Sequence, residues 1–132
     1  MKTLFSLGFI ILLSQNSFTQ NLKLRVYNKT GYNIDSLQIG NIYVGKLPKD
    51  SSYLMLNIPE IGIQDEVPQF FPYGILMIKG KSVRVEYHTI DCAHGKVHIL
   101  KSGNYEFDLT LGEVTWRHGY DLWWDTHQNK NK

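Results

Sequence analysis

Between residues 81 and 111 apolar and polar side chains alternate strictly. Val83, Val85 and Tyr87 fall on one face against Ser82, Arg84, Glu86 and His88, and Val97 and Ile99 flank His98. After a turn at 101–104, Tyr105, Phe107, Leu109 and Leu111 alternate with Glu106, Asp108 and Thr110. A period of two over three successive segments predicts half-buried antiparallel strands with one face on a core. The same period opens the chain at Leu22, Leu24 and Val26, a first strand ending at Asn28, with Thr30 and Gly31 in the turn. Residues 34–39 form a second strand, Gly40 and Asn41 a two-residue hairpin, and 42–44 begin a third strand that Gly45 kinks or bulges. After a turn at 48–51, a fourth strand places Leu54, Leu56 and Ile58 opposite Tyr53, Met55 and Asn57, and Pro59 closes it.

From 59 to 72 the alternation stops. Pro59, Pro68 and Pro72 argue against a central strand or a long helix, so this is the longest expected connection, and Ile61, Ile63, Val67, Phe70 and Phe71 make it apolar. The apolar run 75–78 predicts a strand buried on both faces. Gly74 to Ser82 imitates a phosphate loop with five residues between its glycines instead of four, a chance match in a strand-like context. Beyond Leu111 the pattern degrades: 114–117 suits a last strand, Gly119 breaks it, and 120–124 is short. With no helical period and no repeat, the chain predicts an all-β fold. The expected architecture is a single-domain antiparallel β-sandwich of about eight short strands, in preference to a closed barrel.

Two segments carry a resemblance. Residues 35–47, DSLQIGNIYVGKL, and 101–109, KSGNYEFDL, resemble hairpins of small exported bacterial β-sandwich proteins, most of unknown function. The second is similar to the Gly-x-Tyr-x-Phe turn and strand of prealbumin-like and immunoglobulin-like sandwiches. The resemblance implies that fold and no active site.

The N-terminus changes the cellular picture. Lys2 supplies a positive region, 4–13 an apolar one too short to span a bilayer, and Ser17, Phe18 and Thr19 a small-x-small site. Residues 1–19 are therefore expected to be a removed signal peptide, 20–126 the β-sandwich domain and 127–132 a disordered polar tail. The product is periplasmic or secreted, and no segment reaches transmembrane length. The mature 113 residues hold a single cysteine, Cys92, so packing rather than a disulfide must stabilise the domain. Without Lys2, the 14 Lys and Arg become 13 against 12 Asp and Glu, a formal charge of +1 with no basic stripe beyond the tail 130–132, which argues against a nucleic-acid partner.

The candidate chemistry is of three kinds. His88, His94 and His98 with Cys92 are metal-ligand types near one another. If 83–88 pairs with 97–100 so that Tyr87 faces Ile99, His88 stands opposite His98, close enough to share zinc; a register shifted by two sets Glu86 there instead. Glu60, Asp65 and Glu66 offer carboxylates in the 59–72 connection, and Asn28-Lys29-Thr30 is a glycosylation sequon where a eukaryotic secretory pathway applies. Phe70, Phe71, Trp116, Tyr120, Trp123 and Trp124 form the third kind, an aromatic concentration suited to a protein or glycan partner, with core capping as its bland alternative. Three functions stand open from the sequence: a non-enzymatic binding or interaction module, a metal-dependent or hydrolytic enzyme built on the histidines, and a structural component of the cell envelope. G-x-S-x-G, H-E-x-x-H and paired cysteines are absent, which by itself does not exclude an enzyme, and the expectation adopted is the first, on the strength of the aromatic concentration.

Overall fold

The computed structural model describes residues 22–87, 95–114 and 119–127. Within them the chain is all-β, with no helix. The strands are β1 (Leu22–Asn28), β2 (Ile34–Ile39), β3 (Ile42–Leu47), β4 (Ser52–Ile58), β5 (Ile61–Gln64), β6 (Val67–Pro68), β7 (Pro72–Ile78), β8 (Lys81–Tyr87), β9 (His98–Leu100), β10 (Gly103–Val114) and β11 (Gly119–Thr126). Eight of them form one sheet in the order β3-β2-β7-β8-β11-β10-β1-β4, and β6-β5-β9 form a small second sheet. Most neighbours are antiparallel; β1 with β10 and β8 with β11 are parallel. The outermost strands of the large sheet, β3 and β4, are consecutive in the chain and approach one another across the turn 48–51, so the sheet is nearly closed.

Its inner face holds a single cluster that includes Leu22, Leu24 and Val26 of β1, Leu37 and Ile39 of β2, Leu76 and Ile78 of β7, Val85 of β8, Phe107 and Leu109 of β10, and Leu122 and Trp124 of β11. In β1, β8 and the first part of β10 the inward side chains are the ones the period of two selects. Elsewhere the chain departs from the sequence pattern in four places, each with a local cause.

In β4, Met55 and Ile58 are buried while Leu54 and Leu56 are exposed, the reverse of the expected phase up to Leu56. Leu24 pairs with Met55 and Leu22 with Ile58, so three steps on β4 match two on β1. That extra residue is a bulge, and Asn57 absorbs it at φ 58, a left-handed conformation that asparagine tolerates better than most residues.

The 59–72 connection contains a hairpin. β5 and β6 pair across Asp65 and Glu66, both at positive φ (50 and 66), the sign pattern of a type I′ turn. Pro68 sits in a two-residue edge strand, where a missing N–H does least harm. β5 also pairs with β9, setting Ile63 opposite His98.

The run 75–78 belongs to a longer strand that buries only one face. Pro72, Gly74, Leu76 and Ile78 point inward, whereas Tyr73, Ile75 and Met77 point outward and are exposed. Gly74 is required by its neighbour: a Cβ there would stand 2.7 Å from the Ser36 carbonyl oxygen, where β2 is irregular.

Finally, the C-terminal segment supplies a long inner strand. β11 lies between β8 and β10, and Leu122 and Trp124 add to the core. His127, assigned to the tail by composition, is held in place. Its Nδ1 lies 2.6 Å from Asp108 Oδ1, and its ring stacks on Tyr27 at 3.9 Å and 7°.

Asn28 ties the turns at the β1 end together. Its fully buried Nδ2 donates to the carbonyls of Tyr32 (2.9 Å), Leu47 (2.9 Å) and Pro48 (3.1 Å). Its Oδ1 accepts from the Thr30 N–H (3.1 Å) and the Thr30 hydroxyl (2.7 Å). The sequon asparagine is therefore a structural clasp, and a glycan on Nδ2 is incompatible with this fold.

Candidate functional site

Outward residues of neighbouring strands decide what the sheet offers to solvent. On β1 and β10 they are polar and mutually satisfied. Arg25 lies 3.9 Å from Glu106 and donates to the Ser52 hydroxyl (3.1 Å), while the Tyr27 hydroxyl donates to Glu106 (3.2 Å). Partial burial, and after it the negative charge of Glu106, raise the Tyr27 phenol above its ordinary 10.0.

Around β7 and β8 the outer face is different. Register sets Tyr73 beside Glu86 and Gln38, Ile75 beside Arg84 and Ser36, and Met77 beside Ser82. An apolar row thus runs along β7 with a cation and an anion on the adjacent strand. The Tyr73 hydroxyl donates to Gln38, whose Nε2 donates to the Gly40 carbonyl (2.9 Å), which fixes the phenol ring across β2. Arg84 and Glu86 approach to 3.5 Å with 73% and 63% of their side chains exposed, a pair that adds little to stability.

Three shallow hollows meet here and share Arg84. One of about 300 Å³ is lined by Val83, Arg84, Glu86, Gly119 and Tyr120. A second of about 260 Å³ lies over Ser36, Tyr73, Gly74 and Ile75. The third, about 230 Å³, is bounded by Phe71, Pro72, Tyr73, Glu86 and Tyr87. Phe71 and Tyr87 pack with ring centroids 5.6 Å apart and tilted by 50°, and burial raises the Tyr87 phenol above 10.0. Asp121, fully buried, stands next to Glu86 in the register of β11 with β8.

The aromatic residues singled out in the sequence divide between this face and the core. Phe71 is exposed and bounds the third hollow, while Tyr120 is half-buried, packs against the core and borders the first hollow. Trp124 is core: its ring meets Phe107 edge-on at 6.2 Å and its Nε1 donates to the Phe70 carbonyl (2.7 Å). Phe70 packs partly against the same core. Trp123 points to the opposite side from Trp124 and lies half-buried over Gly112, where a Cβ would collide with its indole. Trp116 lies outside the described residues.

His88, Cys92 and His94 also lie outside them. His98 is exposed on β9, which pairs with β5, while β8 pairs with β7 and β11; β8 and β9 are not neighbours among the described residues, and the expected facing of His88 and His98 lies outside them. Among the described residues no three His, Cys, Asp or Glu side chains gather as a metal set. Glu60, Asp65 and Glu66 are exposed, with the Asp65 carboxylate against Gly95.

What fold and face define together is a class: an all-β protein, with no described helix long and apolar enough to cross a membrane, that presents an apolar row beside a charge pair. No protein-family model, no characterised protein and no solved structure matches the chain.

Proposed function

We propose that this protein is an exported, non-enzymatic interaction module whose contact surface is the outer face of β7 and β8, centred on Arg84. The reading is carried by the row Tyr73, Ile75 and Met77, exposed by 39%, 40% and 41% on a strand well inside the sheet. An inner strand's outward positions make no demand on the backbone, so water alone favours polar residues there, as on β1 and β10. Contiguous apolar surface rimmed by polar groups marks a site of interaction. Tyrosine and arginine, the types that anchor interfaces, stand at its centre.

The export segment 1–19 and a periplasmic or secreted location belong to the same proposal. So does the finer architecture, an immunoglobulin-like or prealbumin-like sandwich. In its support, the Tyr105 ring lies over Gly103 and its hydroxyl donates to the Ser102 carbonyl (3.3 Å), similar to a tyrosine corner.

The test pairs stability with capture. An Ile75→Thr, Met77→Thr variant keeps β-branched or strand-compatible side chains at exposed sites and is expected to change stability by less than about 1 kcal/mol. Capture by the immobilised protein, from an envelope extract and from its own purified solution, should fall sharply. Undiminished capture by the variant removes the surface from consideration and the proposed function with it.

A further inference from the structure

The surface just described is complementary to itself. A cation at Arg84 and an anion at Glu86 lie two residues apart on one strand, and the apolar row of β7 runs beside both. When two such faces meet about a two-fold axis with their β8 strands antiparallel, each Arg84 comes to the partner's Glu86 and the two apolar rows cover one another. This is the isologous arrangement of most symmetric dimers. We propose that the occupant of this face is a second copy of the same chain. The inference rests on the reading of the face as an interaction surface and names its partner.

Three observations favour a copy over an unlike partner. The exposed centre of the face carries one charge of each sign, Arg84 and Glu86, with the buried Asp121 beside Glu86, so neither a purely acidic nor a purely basic surface matches it, while a second copy turned about the two-fold axis offers both signs in the complementary order. The Arg84–Glu86 pair within one chain is highly exposed and of small worth, so exchanging it for two pairs across an interface loses little. The chain as a whole has a formal charge of only +2, and copies therefore meet with little long-range repulsion. The outward side chains of β7 are also of the kind that pack face to face between sheets, about 10 Å apart, without backbone pairing.

Charge reversal gives a test that a mere loss of folding cannot imitate. Arg84→Glu leaves two carboxylates at positions 84 and 86, and Glu86→Arg leaves two guanidinium groups. Each variant should repel its own copy and raise the dimer dissociation constant at least about tenfold, as read by sedimentation from low-micromolar to submillimolar protein. Mixed in equal amounts, the two should form a heterodimer, and the doubly exchanged Arg84→Glu, Glu86→Arg chain should return to within about threefold of the wild type. Melting curves on each variant establish that it is folded, and Ile75→Lys should be monomeric throughout.

A wild type that stays monomeric across this range overturns the inference, while extract capture that depends on Ile75 would leave the interaction surface standing. A dimer indifferent to Ile75→Lys, or variants that do not associate on mixing, overturns it equally. If neither self-association nor extract capture responds to the face, inference and proposed function fall together.

Discussion

At the scale of single residues, Asn28 shows how a local sequence signal and a buried side chain can point in opposite directions. The triplet Asn28-Lys29-Thr30 satisfies the glycosylation pattern, yet Asn28 and Thr30 are both buried and bonded to each other. The amide serves three carbonyls from two other turns, which no other side chain of that size does with both donor and acceptor capacity. Asn28→Ala leaves those carbonyls without their donor inside the protein. Each unsatisfied buried group costs about 1 to 3 kcal/mol, so a total loss of about 2 to 4 kcal/mol is expected in urea unfolding, since water reaches part of the gap. Thr30→Val, which removes a hydroxyl but keeps the shape, should cost roughly 1 kcal/mol. An Asn28→Ala protein as stable as the wild type would show that the turns hold themselves. The same burial leads us to expect the unmodified mass at Asn28 when the folded protein is recovered from a eukaryotic secretory host.

At the scale of elements, legibility followed regularity. β1, β8 and β10 as far as Leu111 alternate without interruption, and the sequence marks their inward faces residue by residue. β4 runs in the opposite phase to its alternation up to Leu56, because the bulge at Asn57 inserts a residue and only Ile58 beyond it faces inward as expected. The prediction at this scale follows: Asn57→Gly should leave stability within about 0.5 kcal/mol, whereas Asn57→Val, forced into a positive φ, should cost on the order of 1 to 3 kcal/mol. Equal melting of the two variants would mean that the bulge is not what positions Met55 and Ile58. The β5–β6 hairpin escaped detection because Asp65-Glu66 is not one of the Gly or Asn pairs that announce a type I′ turn. β11 escaped because Trp123, over Gly112, and the buried Asp121 put large or shielded residues on its outer side, which erases the contrast that alternation needs. For the candidate site, the sequence supplied Phe71 and Tyr120 but not Arg84, Glu86, Tyr73 or Ile75. The outward phase of 82–86 was visible. What was not visible was the register that lays it against the outward phase of β7, because cross-strand pairing is a property of the folded sheet and leaves no trace within either strand alone.

At the scale of the whole molecule, proton binding offers a check on the surroundings of two tyrosines, one on the outer face of β1 and one at the end of β8. Tyr27 on β1 and Tyr87 on β8 are far apart in the strand order, yet both phenols are raised above 10.0, chiefly by burial, with Glu106 adding to the effect at Tyr27. Once the pH passes the ordinary tyrosine value of about 10, the unfolded chain has released these protons while the native chain still holds them. The unfolded state then binds fewer protons than the native one, so stability must fall as pH rises through that window and level off above the native values. Their contribution is complete below pH 10.0 and disappears only on the alkaline side. Urea unfolding from neutral pH upward should therefore show a declining alkaline limb. Tyr87→Phe, which keeps the ring against Phe71 and removes the ionising group, should make that limb shallower with little change at neutral pH. Tyr27→Phe should also flatten it but begin lower, because the hydrogen bond to Glu106 is lost at every pH. If the limb keeps its full slope when both hydroxyls are gone, the decline comes from other groups, and the two rings are not desolvated by the sheet in the way this structure requires.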